Sequence, residues 1–498
     1  MKTKYLFLMI TVFLFGLSGC YEDKGNYDYT EIFNIEVEGL EENYAKYAFI
    51  DSLNISPEIT PSDAQYDCFW GYYPTGLTDN PQLDTICHTR ELHYRVELNP
   101  GSYMLVFSAR EKKTGITRFA TAPLSVETSL TTGWYVLKGQ DGYTDYDVFT
   151  ETGKASDVIA GSNEGRKLKG EAVALALTSQ YNIWDEEKSR YVKNLVVIAC
   201  SSEDIAVLKV SDGKIKNDFQ HLFFEVPAVA APQDCWSATQ AIYLMNDGQM
   251  YTLPTVSTNS GRFGTAMIGN HQFSSYRVAF GYRNPLLFDE RTSSFCSMDS
   301  YNNTLLNLSN TGPVDSVKLP PVNEMDAELL FMGPQGRYKQ GYAWALMKSK
   351  QADLYCMLKL NADCYTPYKN PILRCDTLEN DLDLLKADCR TTNLDNDIIY
   401  FLQDNWIYSC NLNAGYAEKP QIELPDGEEV TWMRHLRGPS TTADINYMVV
   451  ATCKAGKYKV HFYDIQAGNL KENRKPLEGD GRVGCVIYIR KSASTELY

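Results

Sequence analysis

Apolar and polar residues alternate along residues 33–127 in short runs that are separated by turn-forming residues. Such alternation predicts half-buried β-strands, because successive side chains of a strand point to opposite faces of a sheet. Seven runs of this kind occupy residues 33–37, 47–55, 66–73, 83–89, 92–98, 102–110 and 118–126. Seven short strands in about 95 residues predict an immunoglobulin-like β-sandwich. Pro123 lies inside the last run and predicts an edge or bulged strand there, because proline has no backbone N–H to donate.

From residue 134 onward the chain repeats a unit made of an apolar strand, a polar turn and a second strand. The first strands occupy residues 134–137, 195–200, 241–245, 285–289, 342–347, 397–402 and 447–452. The second strands, with the turns that follow them, end at residues 153, 213, 261, 303, 363, 415 and 468. A repeat of about 50 residues built of hairpins is typical of a β-propeller, whose blades are four-stranded sheets. Asp141-Gly142 and Asp247-Gly248 predict tight hairpin turns.

Seven units predict a propeller of about seven blades, with six or eight blades left open and unrelated sandwiches as the alternative. The last apolar run, residues 483–489, has no hairpin after it, so we expect it to complete the first blade. The predicted fold class is therefore all-β. A β-sandwich occupies residues 33–128, and a propeller-like domain occupies residues 129–498.

The first twenty residues have the pattern of a secretory signal peptide. Lys2 and Lys4 precede an apolar run over residues 5–15, which is too short to span a bilayer. Leu17-Ser18-Gly19-Cys20 follows and resembles the lipobox of bacterial lipoproteins. The resemblance implies removal of residues 1–19 and lipidation of Cys20, and several acyl chains would hold the protein firmly to a membrane. An ordinary signal peptide with a coincidental cysteine is the alternative.

Residues 20–32 are predicted to be the lipidated cysteine followed by a polar, acidic tether. Glu22 and Asp23 lie directly behind Cys20 and resemble the surface-export signal of lipoproteins from glycan-foraging Gram-negative bacteria. This resemblance implies a location at the cell outer membrane, facing the exterior.

Three segments carry a second resemblance: the tether, the stretch from Pro100-Gly101-Ser102-Tyr103 through residues 108–115, and Leu124-Ser125-Val126. Together they resemble the PKD-like family of lipoproteins that accompany Sus-type outer-membrane uptake systems. Arg110-Glu111 departs from this pattern, because such domains often carry an aspartate there. The resemblance implies a PKD/Ig-like sandwich and an accessory role beside SusC/SusD-like subunits of a TonB-dependent importer.

Charge and motifs exclude several other functions. With 47 Lys and Arg against 63 Asp and Glu, the formal net charge is −16, which argues against nucleic acid as a partner. The six histidines are scattered and no paired Cys-x-x-Cys is present, so the sequence predicts no metal site. Nucleophile-elbow, P-loop and dinucleotide motifs are also missing, and we expect no cofactor. Acids on different repeats leave a propeller hydrolase or lyase open: Asp145, Asp204, Asp289, Asp299, Asp353, Asp404 and Asp464.

The composition includes 34 Tyr, 20 Phe and 7 Trp, or 12% aromatic residues. Many are expected to pack in the sheets, so aromatics outside the predicted strands are more informative. Three lie in a polar insertion over residues 178–194 and two in the long connection over residues 257–284: Tyr181, Trp184 and Tyr191, then Tyr276 and Tyr282. Exposed rings with polar neighbours suit the faces of sugars or peptide side chains, so these five are ligand-binding candidates. Packing of the same rings against blade edges is the alternative.

Anchor, spacer and propeller together predict a surface lipoprotein that captures an external polymer, a glycan or a peptide, for an importer. The first alternative is a docking subunit of the importer without its own ligand. The second is the hydrolase or lyase named above.

Overall fold

The computed structural model describes residues 34–47, 51–75, 82–96, 98, 101–127, 130–151, 153–186, 188–238, 240–255, 259–280, 284–299, 303–309, 319–337, 340–362, 371–438 and 445–489. Strands dominate these residues, and their α-helix, α1 (Val158–Ser162), is a single short turn. In this part of the chain no helix has the length and apolar character needed to cross a membrane.

Nine strands form the N-terminal domain: β1 (Glu36–Glu38), β2 (Tyr44–Tyr47), β3 (Ser52–Ile55), β4 (Glu58–Thr60), β5 (Tyr66–Pro74), β6 (Asp84–Cys87), β7 (Leu92–Arg95), β8 (Gly101–Glu111) and β9 (Thr117–Glu127). The main sheet has the order β2-β9-β8-β5-β6, and β1–β4 and β3–β7 form two small sheets. Trp70 and Phe107 are fully buried between them, with ring centroids 4.7 Å apart. This packing gives the domain its own apolar core.

The predicted runs of this domain correspond to observed strands, with two differences. The run over residues 47–55 divides into the end of β2 and β3, which belong to different sheets, and β4 was not predicted. Pro123 pairs with Met104 of β8, and β2 joins the other side of β9 only from Leu124 onward. The proline therefore lies where β9 is an edge strand, as its missing N–H requires.

The remaining strands are β10 (Gly133–Gln140), β11 (Tyr143–Thr150), β12 (Gly153–Ala155), β13 (Leu168–Lys169), β14 (Ala172–Asp185), β15 (Arg190–Ser201), β16 (Ile205–Lys209), β17 (Ile215–Asp218), β18 (Pro232–Ser237), β19 (Ala241–Asn246), β20 (Gln249–Pro254), β21 (Leu287–Asp289), β22 (Ser294–Asp299), β23 (Thr304–Asn307), β24 (Ala327–Arg337), β25 (Gln340–Ser349), β26 (Tyr355–Asn361), β27 (Ile372–Leu378), β28 (Arg390–Thr392), β29 (Ile398–Gln403), β30 (Trp406–Asn411), β31 (Ala417–Glu423), β32 (Glu429–Arg437), β33 (Asn446–Lys454), β34 (Lys457–Gln466), β35 (Asn469–Asp480) and β36 (Arg482–Ile489). A 3₁₀ turn spans Asp383–Leu385.

Within the described ranges these strands form seven sheets. The first has the order β12-β11-β10-β36, with β13 also on β11. The second to seventh sheets are β14–β17, β18–β20, β21–β23, β24–β27, β28–β31 and β32–β35. Each of the seven predicted hairpins is present, and each lies in a different sheet.

Two local predictions of this region are confirmed. Asp141 and Gly142 both have positive φ, 54° and 76°, and so do Asp247 and Gly248, as a type I′ hairpin turn requires. The last apolar run, β36, pairs antiparallel with β10, so the C-terminal strand completes the first sheet.

Apolar clusters fill the spaces between neighbouring sheets in a cyclic order. Separate clusters join the first sheet to the second, the second to the third, and so on to the seventh. A further cluster joins the seventh sheet back to the first, where the rings of Trp134 and Phe462 have centroids 4.6 Å apart. Each sheet therefore buries both faces against neighbours.

Candidate functional site

The segment over residues 178–194 is a hairpin and not the polar insertion that the sequence predicts. It forms the outer halves of β14 and β15, which pair as far as Asp185 and Arg190. Polar residues at alternate positions do not interrupt these strands, because one face of a hairpin that extends beyond its sheet remains in solvent. Whether an aromatic candidate of this segment is buried or exposed therefore depends on the strand face and on its position along the hairpin.

Tyr181 is fully buried, so the prediction that its ring is an exposed ligand contact is wrong. Its hydroxyl donates to the Gly261 carbonyl at 2.5 Å and accepts a hydrogen bond from Asn217 Nδ2 at 2.5 Å. Burial raises the pKa of this phenol, which therefore stays protonated at neutral pH. Tyr181 is a core residue that fastens the Gly261 loop to the second sheet.

Trp184 and Tyr191 form an exposed pair on the same hairpin. They lie directly opposite each other on β14 and β15, with ring centroids 5.1 Å apart and planes at 70°. Their exposed fractions are 44% and 36%. Lys193, two positions from Tyr191 and thus on its face, donates to Gln180 Oε1 at 2.6 Å. We call Trp184 and Tyr191 the aromatic pair; polar side chains lie on the same hairpin face.

The tip of this hairpin contacts the N-terminal domain. Lys188 Nζ lies 2.7 Å from Asp84 Oδ2 and 3.4 Å from the Tyr72 hydroxyl. Arg190 donates to Gln82 and lies 3.8 Å from Asp84. Burial lowers the pKa of Lys188, but the hydrogen bonds and charge interactions with Asp84 and Tyr72 together outweigh it and the net pKa is raised. The aromatic pair is therefore carried next to a polar contact between the two regions.

The two remaining aromatic candidates are Tyr276 and Tyr282. Tyr276 is half-buried, and its ring packs edge-on against Phe331 with centroids 5.6 Å apart. This contact favours the packing alternative for Tyr276. Tyr282, Cys20, the signal segment and the tether lie outside the described residues.

Two of the acids considered for hydrolysis are held by protein donors. Asp145 is buried and accepts backbone N–H bonds from Tyr146, Ile159 and Ala160, which anchors α1 to β11. Asp289 accepts from the Gln272 and Arg291 amides and lies 3.1 Å from the His271 ring nitrogen. Both carboxylates hold neighbouring loops in place.

A cavity of about 440 Å³, which was not predicted from the sequence, lies where the first sheet meets the seventh. We call it the junction cavity. Four lysines and three acids line it, together with Thr452, Tyr458 and Gly479: Lys154, Lys454, Lys457, Lys459, Glu428, Glu478 and Asp480. Its volume falls within the range of about 300–1,000 Å³ usual for ligand pockets. Three lysines within six positions, in an acidic chain, are the sequence signal by which it could have been found.

Buried ions connect the two sheets beneath this cavity. The fully buried Asp147 carboxylate accepts from Lys138 Nζ at 2.8 Å, Lys154 Nζ at 2.8 Å and the Tyr458 hydroxyl at 2.6 Å. Burial raises the pKa of Asp147, but the bonds from the two lysines outweigh it and the net pKa is lowered. The carboxylate is therefore ionised at neutral pH, and it fixes Lys154 at the cavity wall.

A second buried acid belongs to the cavity lining. The Glu428 side chain, 3% exposed, accepts from Lys459 Nζ at 2.7 Å and from the Thr452 hydroxyl at 2.9 Å. Burial opposes ionisation of Glu428, but Lys459 leaves its pKa lowered on balance. The neighbouring His461 ring has a pKa lowered by burial and is neutral at neutral pH. In the described ranges no group of three or more His, Cys, Asp or Glu side chains is placed to bind a metal ion.

Residues 20–172 match the model of the PKD-like family. No curated protein matches the chain. A quinonprotein alcohol dehydrogenase-like protein from Bacteroides thetaiotaomicron is 12% identical, with 91% of this chain and 99% of that chain covered and a TM-score of 0.42. PorZ, a surface component of the type-IX secretion system of Porphyromonas gingivalis, is 9% identical over 66% and 37%, with a TM-score of 0.33. A DUF4784 family protein from Bacteroides caccae is 10% identical over 88% and 95%, with a TM-score of 0.28.

Proposed function

We propose that this chain is a lipoprotein on the outer face of the outer membrane that captures an external polymer for a SusC/SusD-like importer. The observation that carries the proposal is the exposed aromatic pair with Lys193 and Gln180 beside it. Exposed ring faces bind the C–H faces of sugars and apolar peptide side chains, and adjacent polar groups orient the ligand. The PKD-like match over residues 20–172 and the lipobox ending at Cys20 support the location.

We also propose that the seven sheets form a seven-bladed propeller. The cyclic order of the apolar clusters supports this arrangement, because the cluster between the seventh and first sheets leaves no sheet at an open end. The pairing of β36 with β10 supports it independently, since a first blade completed by the last strand closes a propeller ring. In this arrangement the sandwich acts as a spacer and the propeller presents the binding surface.

Binding is tested by electrophoresis of the soluble chain, residues 21–498, through gels that contain single polysaccharides, and by calorimetry with peptides. We expect one polymer class either to retard the chain in the gel or to release or absorb heat on binding. The double variant Trp184→Ala/Tyr191→Ala should lose about tenfold or more in affinity. Tyr143→Ala, which removes a ring that is 52% exposed elsewhere, is the matched control and should bind normally.

Two results contradict the capture function. Absence of binding to every glycan and peptide, with co-purification of importer subunits, indicates a docking subunit. Release of reducing ends or shorter peptides indicates an enzyme. The anchor is tested separately with Cys20→Ala in the full chain, which should leave the membrane fraction; a variant that stays on the cell surface refutes lipidation at Cys20.

A further inference from the structure

The junction cavity combines charges in direct ion pairs with two charges that form no direct ion pair within the described residues. Lys154, Lys457 and Lys459 each pair with a carboxylate of the protein. Lys454 Nζ donates to the Asp426 carbonyl at 2.5 Å, and no carboxylate of the described chain pairs with it. Likewise, no cation of the described residues forms an ion pair with the Glu478 carboxylate, which lies directly opposite Lys459 on β34. The Lys454 ammonium can therefore donate hydrogen bonds to a ligand in this cavity, and the Glu478 carboxylate can accept them.

Two of the three paired lysines, Lys154 and Lys459, are held by buried carboxylates, so they can orient a ligand without first being ordered. Lys154 is tied to the fully buried Asp147, and its Nζ also donates to the Glu478 carbonyl at 3.1 Å. Lys459 is tied to Glu428, whose carboxylate is almost completely buried. Groups that are already fixed lose little conformational freedom when a ligand binds, which favours affinity.

The charge balance selects the class of ligand. The lining holds four lysines and three carboxylates, which leaves a formal charge of 4 − 3 = +1. A multivalent anion would compete with Asp147, Glu428 and Asp480 for lysines that are already paired. A hydroxyl group, in contrast, accepts from an ammonium and donates to a carboxylate at the same time. Neighbouring hydroxyls on one ring therefore match neighbouring Lys and Glu side chains without adding charge.

A peptide matches this lining less well. Two common modes of peptide binding rely on an open strand edge or on pockets for apolar side chains. The cavity wall is instead made mostly of charged and hydroxyl-bearing side chains, and Tyr458, its aromatic ring, is 1% exposed. These observations favour a polyhydroxylated ligand.

We propose that the junction cavity binds the terminal sugar of a neutral glycan through Lys454, Glu478 and the Lys459–Glu428 pair. This assignment rests on the capture function proposed above and names its substrate class. It adds a second contact site to the aromatic pair, made of hydrogen bonds where the first is made of ring faces.

The test compares two double variants in the seventh sheet. Lys454→Ala/Glu478→Gln removes two exposed charges, and because neither forms a direct ion pair within the described residues, the fold should be retained. Lys471→Ala/Glu472→Gln changes exposed charges of β35 that do not line the cavity and is the matched control. Both are measured on the soluble chain against dextran, laminarin, mannan and inulin as neutral glycans, polygalacturonate as an acidic glycan, and a tryptic casein digest.

We expect the wild-type chain to bind at least one neutral glycan. The cavity variant should lose about tenfold or more in affinity, and the control less than about twofold. Unchanged affinity in the cavity variant, with loss in Trp184→Ala/Tyr191→Ala, overturns the cavity site and leaves the capture function intact. Binding of polygalacturonate or the casein digest alone also overturns it, while capture stands. If none of these probes binds to the wild-type chain, both proposals are overturned.

Discussion

Two junctions of this molecule are held by different kinds of contact. Between the first and seventh sheets, Trp134, Phe462 and Val486 are buried in one apolar cluster, and Asp147 and Lys138 form a buried ion pair beside it. Between the N-terminal domain and the β14–β15 hairpin, the contacts are ion pairs and hydrogen bonds among partly exposed side chains. The first junction is part of a packed core, whereas the second is a surface contact.

The difference indicates what each junction is for. Apolar burial and buried ion pairs are lost together when a core opens, so the first junction should unfold cooperatively with the sheets. Exposed ion pairs are weak and are screened by salt, so the second junction can open without unfolding either side. We therefore expect the sheets to form one stable core and the angle between these sheets and the N-terminal domain to be adjustable.

The largest effect should follow from breaking the buried ion pair. Asp147→Ala leaves Lys138, whose side chain is 5% exposed, with only the half-exposed Asp157 at 3.1 Å. It also removes the acceptor of Lys154 and of the Tyr458 hydroxyl. Removing one partner of a buried ion pair costs about 3–5 kcal/mol when the other charge is left uncompensated, and Asp157 compensates part of the Lys138 charge. Chemical denaturation should therefore show a loss of unfolding free energy of up to that size. Asp480→Ala removes the carboxylate of the exposed pair with Lys457 and should give no resolvable change. Equal stability of the two variants would show that the first junction does not depend on its buried charges.

The contact between the sixth and seventh sheets predicts that stability depends on pH. His435 on β32 is buried between the sixth and seventh sheets. Its Nδ1 accepts a hydrogen bond from the Leu394 amide at 2.9 Å, and its Nε2–H donates to Asn446 Oδ1 at 2.7 Å. Burial lowers the pKa of His435 to about 4 from an ordinary value of 6.5. Between these values the unfolded chain binds the proton and the folded chain does not, so stability falls as pH falls from about 6.5 to about 4.

At about 1.4 kcal/mol per pH unit, this single histidine accounts for a loss of up to about 3 kcal/mol across that window. Carboxylates titrate in the same range, so the informative quantity is the difference from a variant. His435→Gln should flatten the dependence of unfolding free energy on pH between 4 and 6.5. A variant curve parallel to the wild-type curve would show that His435 is protonated in the folded state.

The hairpins and the closing strand were predictable because their signals are local. Alternating residues specify each strand, and Asp-Gly pairs such as Asp141-Gly142 specify the turn between two of them. β36 was identifiable because it is an apolar strand without a following hairpin. Such patterns need no knowledge of distant contacts.

Side-chain burial and the cavity depend on distant contacts and could not be predicted in this way. Tyr181 is buried because its ring packs in the apolar cluster between the second and third sheets, and Gly261, 80 residues away, accepts its hydroxyl hydrogen bond. The junction cavity is formed by Lys154, Glu428 and Glu478, which belong to three separate parts of the chain. Only the three-dimensional arrangement brings these charges together, although the cluster of lysines between Lys454 and Lys459 is visible in the sequence.

The smallest effect on stability should come from the second junction, and there geometry is the informative readout. Lys188→Ala removes the bond to Asp84, and because both side chains are partly exposed, we expect a loss below about 1 kcal/mol. Small-angle scattering should nevertheless show a larger radius of gyration, and 0.5 M salt should have the same effect on the wild-type chain. Exchanging the charges, Lys188→Asp with Asp84→Lys, should restore the compact form. An unchanged radius in Lys188→Ala would show that apolar packing holds this junction as well, and the two junctions would then not differ in kind.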